Sequence, residues 1–325
     1  MPRITFLSLF LTSALTLAGV SAQAADAWPA QPIRLVVPFA AGGGVDNVAR
    51  ALAAQLSEEL SETVVVENRL GAGGMIATDH VARSAPDGYT LLMATQTTLA
   101  VAPILASTPG FDPKTAFAGA GLVASSPMLL VANPQFAPRN VGQLIDLAKR
   151  DPGQVNFASG GIGSSPHMAG EMLALQTGIK LTHIAYKGEQ PALTDVMGNH
   201  VPIMFSNLPA ALPLVQAGKL HALAISSAQR SAVVPDLPTI AESGVPGFDA
   251  VTWFGVVAPK GTPQEIVQQL GQAIKQSVAN PQLRQKLEGQ GLTVQPLEPA
   301  EFDTYIAAEY DKWERVIKDA NITTQ

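Results

Sequence analysis

The stretch VVPFAAGGGVDNVARALA, Val36 to Ala53, constrains the fold more than any other part of the chain. An apolar run stops at Gly42-Gly43-Gly44, and helical spacing begins at once, with Val48, Leu52, Leu56 and Leu60 four residues apart within Val45–Leu60. A strand that turns through glycine into an amphipathic helix is the first half of a βαβ unit, whose return strand lies parallel to the first. Short β-rich runs of this kind flank the helix at Ile33–Phe39 and Thr63–Glu67, and another follows at Tyr89–Ala94. The middle of the chain repeats the alternation. Met128–Val131, Gln154–Ala158, Leu181–Tyr186, Val201–Phe205 and Leu220–Ser226 read as strands. Val141–Lys149, a segment from Pro166 and Ala192–Met197 read as helices. The fold class is α/β, with two mainly parallel sheets flanked by helices expected rather than one very wide sheet.

Composition agrees with that class. Hydrophobic residues make up 47% of 325 residues, enough for two buried cores, while charged residues are only 14%. A formal net charge of −6 argues against the basic surface that nucleic acid or an anionic membrane requires. The N-terminus predicts the compartment. One positive charge in Met1-Pro2-Arg3, an apolar stretch from Ile4 to Val20 and the small residues Ala22-Gln23-Ala24 read as a cleaved secretory signal peptide over 1–24. The apolar stretch is shorter than the ~20 residues of a membrane span. The mature chain is expected to begin near Ala25 in a bacterial periplasm, without disulfide or thiolate chemistry since cysteine is absent.

The C-terminal region carries helix punctuation. Thr262-Pro263-Gln264-Glu265 predicts a capping box opening a helix with the stripe Ile266, Leu270, Ile274 and Val278, ended by Asn280-Pro281. A last helix from Pro299 carries Phe302, Ile306, Tyr310, Trp313 and Ile317 on one face. Both are expected to cover the N-terminal strands. The chain would cross to a second domain near Val123–Pro127 and return near Trp253–Pro259. That makes 25–123 and 255–325 the two parts of the first domain and 124–254 the second.

Three glycine-rich stretches, Gly42–Gly44, Gly71–Gly74 and Gly160–Gly163, each follow a strand and precede a helical pattern. Such turns lie at the carboxyl ends of strands, where free helix N–H groups favour an anion. Neither G-x-G-x-x-G nor a P-loop is completed, so a nucleotide is disfavoured and a carboxylate is the anion left. Catalytic patterns are equally sparse. None of His80, His167, His183, His200 and His221 belongs to H-E-x-x-H, and there is no G-x-S-x-G elbow. His167 and Glu171 read as a hydrogen-bonded pair on a helix, not a metal half-site, and a Ser164–His167 nucleophile pair lacks an orienting third group. No catalytic residue, metal or cofactor is expected. Asp46 reads as a helix-start residue, Arg50 and Arg69 as structural, and Ser57 as solvent-facing.

The stretches PIRLVVPFAAGGGVDNVAR, VVVENRLGAGGMIATDHVARSAPDGYTLLMAT, VNFASGGIGSSPHMAGEML, HIAYKGEQPALTDVMGNHVPIMFSNLPAALPLVQAGKLHALAISS and WFGVVAPKGTP together resemble the Bug family, the periplasmic solute-binding proteins of tripartite tricarboxylate transporters. The resemblance implies a two-domain periplasmic binding protein fold (type II-like), with a ligand cleft that closes on a small carboxylated solute. It implies delivery to membrane permease subunits, or presentation to a sensor kinase. A periplasmic hydrolase on the same architecture is the rival reading. Carried over by motif, the resemblance puts Phe39, Ala41, Gly42 and Gly43 at the ligand from one wall and Ser159, Gly161, Gly163 and Ser164 from the other, with Thr98 in a third segment. The hydroxyls of Ser159 and Ser164 are expected to donate to the solute. Family members often carry Asp at the position of Ser206, Pro at that of Leu70 and Asn at that of Ala102. Loss of a carboxylate at Ser206 weakens the case for an amino-acid ligand and leaves di- or tricarboxylates or aromatic acids open.

Overall fold

Apolar runs at Ile33–Val37 (β1), Val64–Asn68 (β2) and Thr90–Thr95 (β3) pair in parallel in the order β2-β1-β3. This computed structural model describes residues 28–106 and 109–323, so the expected signal peptide and its cleavage site lie outside the described residues. Helix α1 (Gly44–Leu60) joins β1 to β2. A 3-10 turn at Ala72–Gly74 leads into α2 (Met75–Ala82), which joins β2 to β3. After β3 the backbone makes a π-turn at Thr97–Val101 and a short helix, α3 (Ala102–Leu105).

Strand β4 (Phe117–Ala132) follows, with 16 residues spanning roughly 50 Å at about 3.3 Å each. Beyond it come α4 (Val141–Arg150), β5 (Val155–Ser159), α5 (Ser165–Thr177) and β6 (Leu181–Ala185). Then follow α6 (Glu189–Met197), β7 (Ile203–Asn207), α7 (Leu208–Gln216) and β8 (His221–Ile225). Strand β9 (Val251–Pro259) precedes the helices α8 (Gln264–Ala279), α9 (Pro281–Glu288) and α10 (Pro299–Asp319).

Strands β6, β5 and β7 form a second parallel trio. The two trios are not separate sheets. Strand β9 pairs antiparallel with β3 and with β4 from Phe117 to Pro127, and from Met128 onward β4 pairs with β7 and β8 instead. Hydrogen bonding therefore runs unbroken through nine strands. The segments near which the chain is expected to cross and return, Val123–Pro127 and Trp253–Pro259, are both strand. Most residues of both are buried, so their backbone groups need ladder partners that water cannot supply.

Each trio has a core on both faces. Helices α1 and α8 pack Val48, Leu52, Leu270 and Ile274 against Ile33, Leu35 and Met93, and Val81 of α2 with Phe302 of α10 covers the reverse. In the second half, Met172 and Leu173 of α5 meet Phe157, Phe205 and Phe248, and α6 covers the other face with Leu193 and Val196. Helix α10 does not serve the N-terminal strands alone, because Trp313, Val316 and Ile317 lie in the core of the second half. At 21 residues it is long enough to cross from one half to the other. The indoles of Trp253 on β9 and Trp313 both donate to Glu309 Oε2, at 3.2 and 3.0 Å, which fastens that crossing.

The capping box expected at Thr262 is not formed. Its buried hydroxyl donates to Pro259 O at 2.8 Å, and Pro263 takes the N-cap position without a side-chain bond.

Candidate functional site

The loop from Pro38 to Gly43 carries the chain out of β1 into α1, and Gly42 bends it with a φ of +80°. Asp46, only 1% exposed, braces this turn from beneath. Its Oδ2 accepts the N–H of Gly42 and Nε of Arg50, both at 2.8 Å. Its Oδ1 accepts Nδ2 of Asn68 at 2.8 Å, and the same amide nitrogen donates to Phe39 O at 2.9 Å. The bond from Arg50, with those from Gly42 and Asn68, outweighs burial and holds the Asp46 carboxyl at about 2. Asp46 thus shapes the loop, Arg50 supports Asp46, and Arg69 pairs with Glu67 at 2.6 Å.

Glycine lets three segments converge. A Cβ on Gly74 would lie 2.7 Å from Thr98 Cγ2, 3.0 Å from Pro38 Cβ and 3.7 Å from Phe39 Cζ, so Phe39 and Thr98 meet over a bare backbone. On the other half, a Cβ on Gly163 would lie 2.9 Å from Leu105 and 3.5 Å from Val101. Ser165 Oγ donates to Gln96 Oε1 at 2.7 Å. The loop after β5 is thereby held against the segment that carries Thr98. No direct contact joins Ala41, Gly42 or Gly43 to that second loop among the described bonds.

Several side chains named from the sequence have their polar atoms engaged within the protein. Thr98 Oγ1 donates to Thr95 O at 3.1 Å and accepts Thr95 N–H at 2.9 Å. Ser164 Oγ donates to Gly161 O at 2.7 Å and accepts His167 N–H at 3.4 Å as the N-cap of α5. Ser159, fully buried, accepts Gly161 N–H at 3.0 Å and lies 2.6 Å from His183 Nε2. The hydroxyls of Ser159 and Ser164 thus organise the glycine loop.

The conceivable Ser164–His167 nucleophile pair does not form, because the His167 ring takes Gly163 N–H on Nδ1 at 3.1 Å. Its Nε2 lies 3.5 Å from Glu171. The serine–histidine pair that does form, Ser159–His183, is created by β5 lying beside β6, which sequence spacing could not reveal. The His183 ring stacks on His167 with centroids 3.9 Å apart. Burial, and then the neighbouring His167, push it down to about 4. The Ser159 member of this pair is fully buried. No cluster of three His, Asp or Glu suited to a metal occurs among the described residues.

A cavity of about 480 Å³ opens between the halves, within the size range of small-molecule sites. Gly44 and Asn47 line it from α1, Glu189 and Asn207 from the second half, and Ser126 and Thr252 from the shared strands β4 and β9. Glu189 was not singled out in the sequence. Its Oε1 accepts Ser206 Oγ and Asn207 N–H, both at 2.7 Å, and its Oε2 accepts Asn207 Nδ2 at 3.0 Å. Ser206 itself is fully buried behind it. A wider depression of about 820 Å³, under α2 and lined by Arg34, His80 and Arg83, belongs to the first half alone.

Residues 48–322 match the family model described as the tripartite tricarboxylate transporter family receptor. The protein BugT of Bordetella pertussis is 38% identical over 317 residues, which is 97% of this chain and 96% of BugT. Among solved structures, the R. palustris protein Rpa4515 with adipate is 36% identical with a TM-score of 0.78, covering 91% of this chain and 99% of that one. MatC from Rhodopseudomonas palustris with bound malate is 32% identical with a TM-score of 0.75, covering 89% and 100%. The family is one of periplasmic binding receptors, so the hydrolase reading falls. The chain belongs to the tripartite tricarboxylate transporter receptor family, the Bug receptors, and is a solute-binding protein rather than an enzyme.

Proposed function

We propose that this chain captures a small organic carboxylate between its two halves and delivers it to the membrane subunits of a tripartite transporter. The observation that carries the reading is the 480 Å³ cavity, lined from both halves and from the two strands that join them. A solute held there touches both halves, which favours whichever arrangement brings them together. Under this reading, Phe39, Ala41, Gly42, Gly43 and Thr98 flank the solute on one side and Ser159, Gly161, Gly163, Ser164 and Ser206 on the other, behind the described lining of the cavity, which includes none of them. The same reading divides the chain into 25–123 with 255–325 and 124–254, and the C-terminal part of α10 packs into the core of the second. The exchange of partners along β4 at Pro127 supports a bend there, since proline contributes no N–H to the ladder. Adipate in one relative and malate in another support a carboxylate as the cargo.

Export follows the same reading, with the segment 1–24 removed. Mass spectrometry of protein recovered from periplasm should show a chain starting near Ala25; an intact Met1 would reject it. For binding, a panel of organic acids is screened by thermal shift, and the best binder is followed by small-angle scattering. Stabilisation with compaction is expected. No compaction at saturation would rule out capture by closure.

A further inference from the structure

Ser206 is neutral, yet its corner of the cavity wall holds a carboxylate. Glu189, at the first turn of α6, reaches across to the end of β7, where its carboxylate accepts from the Ser206 hydroxyl and from both the backbone and side-chain nitrogens of Asn207. An ionised carboxylate has about four acceptor positions, and three donors occupy three of them. Its fourth position lies on Oε2, and Glu189 lines the cavity between the halves.

No Lys, Arg or His is among the described residues that line this cavity, and none forms an ion pair with Glu189. The neighbours Asn47, Ser126, Asn207, Thr252 and Gln290 are polar but neutral. A solute whose second carboxylate entered this corner would meet like charge with no cation to offset it. A solute presenting a protonated amine would supply both the missing charge and the missing donor.

We propose that Glu189 is a specificity-determining residue that selects a carboxylate solute bearing an ammonium group. The inference rests on the carboxylate-receptor reading above and narrows it to amino acids. It reverses the sequence-based expectation drawn from Ser206, because an acid on a different element, α6, reaches the same corner.

Matched probes test it on the purified mature protein by calorimetry: L-aspartate, L-malate and succinate as one series, L-glutamate and glutarate as another. The amino member of at least one series should bind at least tenfold more tightly than its counterparts. Glu189→Gln should erase that preference, so that the amino and amine-free members of a series bind alike. Equal or tighter binding of the amine-free acids by the wild type overturns the proposal while leaving the receptor reading intact. Malate binding as tightly as aspartate also overturns it, since a neutral hydroxyl donor would then suffice. A residue that merely ties α6 to β7 would lower the melting temperature of Glu189→Gln and Glu189→Ala without changing the preference, which rejects a selective role. Failure of these probes and of every other carboxylate in the panel rejects the receptor reading, and the proposal with it.

Discussion

Replacing Asp46 with Asn should loosen the turn that leads from β1 into α1. The wild-type carboxylate takes three hydrogen bonds, from Gly42, Arg50 and Asn68, while almost fully buried. Asparagine keeps one acceptor oxygen, so either the Gly42 and Arg50 side or the Asn68 side must face an NH2 group. Arg50 is half exposed, with 52% of its side chain accessible, so its charge adds little once solvent screens it. The hydrogen bonds account for about 1–3 kcal/mol. Proton linkage gives a similar size. A carboxyl held at about 2 instead of 3.8 contributes on the order of 2 kcal/mol.

Because the folded value lies below the unfolded one, that stabilisation is complete above pH 4 and is lost as pH falls toward 2. By about pH 3 roughly half of it should be gone. Urea unfolding of wild type and Asp46→Asn at pH 7, 4 and 3 reads this directly. The variant should be about 2 kcal/mol less stable at pH 7, and the gap should narrow by pH 3. Coincident curves at pH 7, or a gap of the same size at pH 7 and pH 3, would refute the assignment of Asp46 as the brace of this loop.

His183 should impose a second pH dependence, in a different window. Its folded value of about 4 lies below the ordinary 6.5, so the unfolded chain binds the extra proton first and stability falls as pH drops from 6.5 to 4. The loss should not exceed about 3 kcal/mol and should be smaller with partial solvent screening; His183→Gln should flatten that slope in urea melts, and an unchanged slope would clear His183 of the effect. Glu309→Leu orphans two buried indole N–H groups and a lysine partner, so a loss of roughly 3–5 kcal/mol is expected in chemical denaturation. A loss below about 1 kcal/mol would show that the Trp253–Glu309–Trp313 link does not fasten the two halves. Gly74→Ala places a methyl group 2.7 Å from Thr98 Cγ2 on a backbone with φ of +94°, so it should lower both the melting temperature and carboxylate affinity. Unaltered affinity in calorimetry would mean that Phe39 and Thr98 do not border the solute.

Local periodicity made β1, α1, β2, α5 and the stripe of α8 legible from the sequence, because each is encoded within about twenty residues and read by its own spacing. The glycine turns were legible for the same reason, since positive φ at Gly42, Gly161 and Gly163 is a demand of the backbone itself. Side-chain destinations were not. Ser57, expected to face solvent, is half-buried and accepts Val64 N–H at 2.9 Å, a partner supplied by the return strand. Thr262 turned from its helix to Pro259, and Trp313 continued a helical stripe into the core of the other half. The identity of β4 as a strand of both halves depended on β9, β7 and β8, which lie more than seventy residues downstream. Glu189 meets Ser206 only because α6 and β7 are packed side by side. Pairing register and helix packing are set by contacts remote in sequence, so the chemical character of the cleft wall emerged only when those contacts were in place.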